Sequence, residues 1–395
     1  MRPCCMCPAA HAAGRGECPI MVEKKMLFTP GPVMTSEALK AVLLQPDIPH
    51  RQPVFEQYLR RIRASLLQLC GADESYTAVV VSGSGTAANE AALSSIVRRG
   101  EEVLLLSNGE FGERLRGILE VYGYRLHVLD FGWAEPYDLG AVRRTLAAHP
   151  AIAWVCMVYH ETSTGMRNAL EGVGQATAEA GRRLFVDGVS AIGGEPLDVV
   201  RDRIDVCTGV PNKAVAGLPG VSFVIARRSS VPPLGEDLPR RNVYLNLQKH
   251  MEWADRVEQT PNTPSVQMFV ALDAALQELQ AETLDSRMRR HQECAVIVRQ
   301  GLERLGLRLL LAPDLRSNTV TAAFLPSAVR VEAFIEAMDA RGYVLYPGKG
   351  PLLEQNVFQV ATMGWIQPED CRSLLGVIEA TLREMGGLPA GGKRP

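Results

Sequence analysis

Hydrophobic and polar positions alternate along the chain in two patterns that predict strands and helices in turn. Between residues 56 and 187, short apolar runs typical of buried strands alternate with segments whose apolar residues recur at helical spacing. The predicted strands are 76–82, 102–107, 125–130, 151–158 and 183–187. The predicted helices are 56–69, 86–93, 112–122, 139–148 and 172–180. This order predicts an α/β domain with helices on both faces of a mostly parallel sheet, and a ligand site at the carboxyl ends of the strands.

The pattern changes after about residue 264. A long amphipathic segment at 266–304 is followed by predicted strands at 308–312, 319–324 and 343–346 and by predicted helices at 331–341 and 368–384. We therefore expect a large α/β domain at 27–265 and a linking helix with a small α+β domain at 266–385. The ends, 1–26 and 386–395, are expected to be disordered, because both are rich in small residues, glycine and proline.

Composition narrows the possible functions. The net charge of −2 gives no electrostatic reason to expect nucleic acid or an anionic membrane as a partner. No apolar run approaches the roughly 20 residues of a membrane span. Four of the nine cysteines crowd the first twenty residues, but they lack the paired spacing of a metal knuckle. The other five are scattered through predicted core elements, which favours a reducing, cytoplasmic location.

Two short segments carry the strongest chemical signal. The strand at 183–187 ends in Asp187, and Lys213 follows between small and polar residues. This layout suits pyridoxal phosphate, since the lysine can form a Schiff base and the acid can keep the pyridine nitrogen protonated. A buried Asp–Lys ion pair, or a surface lysine beside a turn, is the alternative interpretation of the same residues.

Three other strand ends carry groups that suit the same ligand. Ser84, Gly85 and Thr86 lie between a strand and a helix, where backbone N–H groups and hydroxyls favour a phosphate. Phe111 could stack on an aromatic ring whose other face meets Val189, and Thr162 could bond a phenolic oxygen. Each feature alone also fits an ordinary turn, a core residue or a structural polar group. Their order along successive strand–helix units indicates one pyridoxal phosphate site.

These segments resemble the class V aminotransferases, which belong to the fold-type I pyridoxal phosphate enzymes, over roughly residues 27 to 385. The resemblance rests on Phe28-Thr-Pro-Gly-Pro32, Gly83-Ser-Gly85, Ser107-Asn-Gly109, Asn212-Lys213, Gly217-Leu-Pro-Gly220 and Tyr346-Pro-Gly-Lys349. The last of these and the run at 193–198 are most similar to the branch that acts on 2-aminoethylphosphonate and pyruvate, whereas His50-Arg51-Gln52 is more similar to the alanine–glyoxylate branch.

The resemblance implies roles for individual residues. Lys213 would carry the Schiff base, Asp187 would hold the pyridine nitrogen, and Phe111 and Val189 would enclose the ring. The phosphate would be held by Ser84, Gly85, Thr86 and Asn212, with Thr263 reaching across from the second subunit of a homodimer. The substrates would be a small amine donor and an oxo-acid acceptor, bound near Gly31, Arg51 and Gln359.

One position departs from the family pattern. Family members have an arginine that pairs with the substrate carboxylate where this chain has Gln359. An amide cannot make a bidentate ion pair, so another cation (Arg51, Arg240, Arg241 or Lys349) takes this role or the substrate lacks that carboxylate. The leading hypothesis is therefore an aminotransferase. A lyase, decarboxylase or other specialised pyridoxal phosphate enzyme is the alternative, and a non-catalytic regulator of this fold is a third, disfavoured by the intact Lys213 and Asp187.

Overall fold

The computed structural model describes residues 23–233 and 242–388. The strands in these ranges are β1 (Met26–Leu27), β2 (Tyr76–Ser82), β3 (Glu102–Ser107), β4 (Arg125–Asp130), β5 (Ile152–Val158), β6 (His160–Glu161), β7 (Met166–Arg167), β8 (Arg183–Asp187), β9 (Val206–Gly209), β10 (Val221–Arg227), β11 (Val320–Phe324), β12 (Tyr343–Val344), β13 (Tyr346–Pro347) and β14 (Val357–Ala361). The α-helices are α1 (Glu37–Ala41), α2 (Pro53–Leu69), α3 (Gly85–Ile96), α4 (Glu110–Val121), α5 (Leu139–Ala148), α6 (Leu170–Glu179), α7 (Leu247–Val257), α8 (Val266–Glu282), α9 (Leu284–Arg304), α10 (Val331–Asp339), α11 (Pro351–Glu354) and α12 (Pro368–Glu384).

A seven-stranded sheet forms the centre of the larger part of the chain. Its strand order is β2-β10-β9-β8-β5-β3-β4. Only β10 runs antiparallel to its neighbours, so the other six strands end at the same edge. Buried side chains pack on both faces of the sheet, which explains why its strands are continuous apolar runs rather than alternating ones.

The predicted α/β architecture is confirmed, and most predicted elements lie within a few residues of their observed bounds. β2, β3, β4, β8, α5 and α12 have the predicted bounds. Two strands of the sheet, β9 and β10, were not predicted, nor was helix α7. Because β10 is a buried apolar run like the other strands of the sheet, its sequence does not reveal that it runs antiparallel to them.

The second part of the chain is built on a three-stranded antiparallel sheet, β11-β14-β13. Helices α9, α10 and α12 contribute side chains to the apolar core beside this sheet. The small α+β unit predicted after residue 265 matches this arrangement. The division of the chain into domains at 27–265 and 266–385 remains a prediction.

Three details of this second part differ from the predictions. The segment predicted as one long helix is two, because Thr283 takes a positive φ of 68° between α8 and α9. The predicted strand at 308–312 is wrong: only Leu309 makes a bridge, to Ala323. The predicted strand at 343–346 is split, since β12 pairs with β1 and β13 pairs with β14.

The ends predicted to be disordered lie mostly outside the described residues, as do the first four cysteines. Where the chain is described, Met26 already pairs with Tyr343, and Leu388 packs against the core of the second part. The five cysteines in the described ranges are buried and free. A helix with the length and apolar character of a membrane span is absent from residues 23–233 and 242–388.

Candidate active site

A cavity of about 460 Å³ opens at the carboxyl edge of the large sheet. This volume lies in the range of small-molecule sites, about 300–1,000 Å³. Nine of the residues that the sequence predicts for the site line it: Gly31, Ser84, Gly85, Thr86, Phe111, Asp187, Val189, Asn212 and Lys213. The remaining lining residues are Gly83, Asn89, Arg114, Val210, Pro219, Gly220 and Lys349.

Asp187 is the buried acid of the cavity. It ends β8, and its carboxylate is held by the backbone N–H of Val189 at 3.0 Å and by the side-chain amide of Asn89 at 2.7 Å. Burial raises the pKa of Asp187, while these two hydrogen bonds oppose the rise. A buried carboxylate of this kind is stabilised by a cationic partner, which is what a protonated pyridine nitrogen provides.

Lys213 follows β9 and projects into the same cavity. Its Nζ donates a hydrogen bond to the carbonyl oxygen of Pro30. Burial, and secondly the charge of Lys349, lower the pKa of Lys213 to about 8. More of a lysine with this pKa is unprotonated near neutrality than of an exposed lysine, so a larger fraction is available as a nucleophile and general base.

Glycine is required beside this lysine. Gly31 has a φ of +130°, and a Cβ at this position would lie 2.8 Å from Lys213 Nζ. A side chain here would therefore be strained by its backbone conformation and would press on the amine.

The loop after β2 forms a second wall of the cavity and ends at the first turn of α3. Ser84 is the N-cap residue, and Gly85 and Thr86 begin the helix, so unpaired N–H groups lie at this end. A Cβ on Gly85 would come within 2.8 Å of Val189 Cγ2. The glycine thus lets the start of α3 pack directly against Val189, so that the helix N–H groups and the Val189 side chain line the same cavity.

Phe111 lies in the first turn of α4, and this turn is fixed by Glu161. The Glu161 carboxylate accepts backbone N–H bonds from Phe111 at 3.1 Å and from Gly112 at 3.2 Å. The Glu161 side chain is fully buried, and burial raises the pKa of Glu161 to about 7. The hydrogen bonds that Glu161 accepts oppose this rise, and the bond from the Ser163 hydroxyl opposes it most. Glu161 acts as a cap supplied from outside the helix and sets the position of the Phe111 ring.

Thr162 lies behind the cavity lining. It is buried, and its hydroxyl is 2.9 Å from Ser190 Oγ. His160 Nδ1 lies 3.0 Å from the carbonyl oxygen of Ser190, while its Nε2 is buried without a partner. Burial lowers the pKa of His160 to about 4, so the ring is neutral and Nδ1 carries the proton that this carbonyl accepts.

The amide hydrogens of Gln359 are bonded to the backbone and are not directed into the cavity. Gln359 lies on β14, is 1% exposed, and donates both amide hydrogens to the carbonyl oxygens of Thr162 at 3.0 Å and Ser163 at 2.7 Å. Its Oε1 is buried without a partner. In this arrangement the amide ties the three-stranded sheet to the turn between β6 and β7.

Arg51 contacts the loop that carries Thr263, and neither residue lines the cavity. Arg51 donates to the carbonyl oxygen of Thr260 at 2.6 Å and stacks on Trp253 at 4.7 Å. Thr263 follows in the same loop and is exposed. Of the other candidate cations, Lys349 lines the cavity, whereas Arg240 and Arg241 lie outside the described residues.

Sequence reasoning missed three residues of the site. Asn89 bonds Asp187, Arg114 lines the cavity, and Glu161 caps α4. Asn89 and Arg114 each lie one helical turn beyond a residue that the sequence did identify, at the start of α3 and α4. Their spacing from Gly85 and Phe111 is the signal that could have found them, since residues i and i+3 or i+4 share a helix face.

Comparison with known proteins gives a consistent picture. A model of the aminotransferase class-V family matches residues 43–350. A 2-aminoethylphosphonate–pyruvate transaminase of Syntrophobacter fumaroxidans is 33% identical over 91% of this chain and 97% of its own length. A transaminase of the same name from Klebsiella pneumoniae is 32% identical over 90% and 96%. The crystal structure of an alanine–glyoxylate aminotransferase from Nostoc sp. has a TM-score of 0.86 at 28% identity, covering 93% of this chain and 98% of that one.

Proposed function

This chain belongs to the class V aminotransferases, which are pyridoxal phosphate enzymes, and from that premise we propose that it transfers the amino group of 2-aminoethylphosphonate, or a closely similar amine, to an oxo acid such as pyruvate. The observation that carries the proposal is the single cavity that holds both Asp187 and Lys213. The names of the relatives that cover nearly the whole chain support the choice of substrates.

The residues present fit the cofactor. Ser84, Gly85, Thr86 and Asn212 would hold its phosphate, Phe111 and Val189 would enclose its ring, and Asp187 would pair with its ring nitrogen. When bound, pyridoxal phosphate supplies an electron sink for the carbon next to the amino group.

The protein's own contribution is to position groups and move protons. Lys213 Nζ would hold the cofactor and be displaced by the donor amine. It would then take a proton from the carbon that bears the donor's amino group and return it to the carbon on the other side of that nitrogen. Its lowered pKa suits both tasks, because the amine can accept and release a proton near neutral pH. Asp187, fixed by Asn89 and by the Val189 N–H, would keep its charge opposite the ring nitrogen throughout.

The alternative of a lyase or decarboxylase is not favoured, because the relatives that match are named transaminases. The departure at Gln359 therefore concerns how the substrate is bound rather than which reaction follows.

The test is a donor panel with the purified enzyme. We expect alanine to form from 2-aminoethylphosphonate and pyruvate, and to form more slowly or not at all with serine or propylamine as the donor. Lys213→Ala should lose at least about 10³-fold in rate, since it removes both the nucleophile and the general base. Lys249→Ala, which changes a lysine on α7, is the matched control and should be unaffected. No alanine with 2-aminoethylphosphonate as the donor, or an active Lys213→Ala enzyme, would overturn the proposal.

We propose further that the enzyme is a homodimer of the reducing cytoplasm. The adjacent residues Leu43 and Leu44 are 41% and 87% exposed and Val243 is 80% exposed, and burial of such large apolar side chains against a second copy would be favourable. Thr263, exposed in the single chain, would reach the partner's phosphate site. The buried free cysteines fit a reducing compartment. Sedimentation should give twice the chain mass for the native protein and the single-chain mass for a Leu44→Glu, Val243→Glu variant; a monomeric native protein would contradict this.

A further inference from the structure

Two cations other than Lys213 line the cavity, and both lie against the same aromatic ring. Arg114 Cζ is 4.7 Å and Lys349 Nζ is 5.3 Å from the centre of the Phe111 ring. They come from different parts of the fold, since Arg114 lies on α4 and Lys349 follows β13 in the second part of the chain. Chain segments far apart in sequence thus converge on one place.

A shared carboxylate holds the two cations side by side. Glu110 Oε1 lies 3.2 Å from an Arg114 guanidinium nitrogen and 3.7 Å from Lys349 Nζ. Both cationic side chains remain 37–40% exposed, so they are accessible to a ligand entering from solvent. One carboxylate against two cations leaves a positive charge for an incoming anion.

The pair is separated from the predicted phosphate loop. That loop follows β2, whereas Phe111 and Arg114 follow β3, and β10, β9, β8 and β5 lie between these two strands in the sheet. Asp187 and Lys213 follow β8 and β9, in the middle. The cavity therefore has uncharged phosphate ligands on one side of the reacting lysine and two cations on the other.

Because residue 359 is glutamine, another group must bind the anionic end of the substrate. The Gln359 amide donates to two backbone carbonyls, and its oxygen has no donor, so it offers an incoming anion neither charge nor hydrogen bond. Resting on the proposed function, we propose that Arg114 and Lys349 form the subsite for the phosphonate group of the amine donor. The guanidinium provides a planar pair of donors and the ammonium a compact charge, which together match an anion with three oxygens.

The experiment measures the binding of ethylphosphonate to the holoenzyme by titration calorimetry. This probe has the phosphonate but no amine, so it cannot react with the cofactor. We expect Arg114→Gln and Lys349→Met each to weaken its binding about tenfold, which is the effect of losing one charge-assisted contact. Arg116→Gln removes an equal charge from the same helix but from a residue paired with Glu120, and should bind ethylphosphonate as the native enzyme does.

Kinetics give a second readout. Both variants should raise the KM for 2-aminoethylphosphonate with little change in kcat, and Arg114→Lys and Lys349→Arg should recover part of the loss. Cofactor content, measured by absorbance, should stay at the native level in all of them. Native binding of ethylphosphonate by both variants, an equal loss in Arg116→Gln, or loss of cofactor with ethylphosphonate binding intact would each overturn the subsite.

Failure of the subsite and failure of the proposed function give different results. If the native enzyme makes alanine from 2-aminoethylphosphonate while both variants bind ethylphosphonate normally, the subsite is wrong and the function stands. Suppose instead that the native enzyme binds ethylphosphonate but makes no alanine from this donor, and that Arg114→Gln and Lys349→Met each lose ethylphosphonate binding. The anion subsite then stands and the proposed reaction is wrong.

Discussion

Asn89 donates a 2.7 Å hydrogen bond to the buried carboxylate of Asp187. Behind this bond, the hydroxyl of Thr208 donates to Asn89 Oδ1 at 2.6 Å. The ionised carboxylate can only accept, so the amide NH2 of Asn89 faces it, and the amide oxygen is left to accept from the Thr208 hydroxyl. A helix, a strand end and a neighbouring strand thus hold Asp187 in a single orientation.

Removing the Asn89 donor should weaken the cofactor site. We expect Asn89→Leu to lower the affinity for pyridoxal phosphate about tenfold, because a hydrogen bond to a charged group contributes about 1.5–3 kcal/mol. Equilibrium dialysis of the cofactor measures this. Thr208→Val keeps the Asn89–Asp187 bond and should change the affinity only a few fold; equal losses in the two variants would show that Asn89 has no direct role.

The absence of a side chain at Gly85 should be essential to the cavity. Gly85→Ala would place a Cβ 2.8 Å from one methyl of Val189 and 3.0 Å from the other, so Val189 or the start of α3 would have to move, which would disturb the walls of the cavity. We expect loss of cofactor binding with the fold retained, as measured by cofactor absorbance and circular dichroism. Gly117→Ala, on α4 with nothing within 4 Å, should keep the cofactor and stabilise its helix by about 0.5–1 kcal/mol. Cofactor binding at native strength by Gly85→Ala would contradict the assignment.

Lys213 should titrate near pH 8 in the cofactor-free protein, because its pKa is lowered to about 8. Its acylation, followed by mass spectrometry, should rise with a midpoint there. Lys349→Met removes a like charge and should move the midpoint to higher pH, whereas Lys40→Met, which changes a surface lysine paired with Glu37, should leave it in place. A lowered pKa disfavours the protonated form in the folded state, so this group reduces stability fully below about pH 8 and less as the pH rises further. A midpoint unmoved by Lys349→Met would exclude the charge interaction.

Gln359 should matter for stability more than its chemistry suggests. Gln359→Leu leaves two buried carbonyl oxygens without donors and should cost about 1–3 kcal/mol in the free energy of unfolding. Gln359→Glu should cost more, since it buries a carboxylate against those oxygens. Gln355→Leu, at an exposed position nearby, should change stability by about 0.5 kcal/mol or less. Denaturant unfolding distinguishes these outcomes, and a neutral Gln359→Leu would refute the structural role.

The sequence predicted most of the large sheet because its signals are local. The apolar runs of β3 and β8 and the Gly85 loop can each be recognised within ten residues. The contacts that complete the site are not local: Asn89 and Asp187 are 98 residues apart and Glu161 and Phe111 are 50 apart. Helical periodicity also continued across Thr283, whose positive φ separates α8 from α9 and has no clear signal in residue type. The sequence therefore identified which loops form the site but not which side chains fix one another within it.

The most direct test of the central claim follows the nitrogen atom of the donor. The holoenzyme is supplied with 2-aminoethylphosphonate carrying an isotopic nitrogen label, together with unlabelled pyruvate, and the products are analysed by mass spectrometry. An aminotransferase should deliver the label to alanine in equal amount to the donor consumed, with none in ammonia. Consumption of the donor with the label released as ammonia, and no labelled alanine, would contradict amino-group transfer by this enzyme.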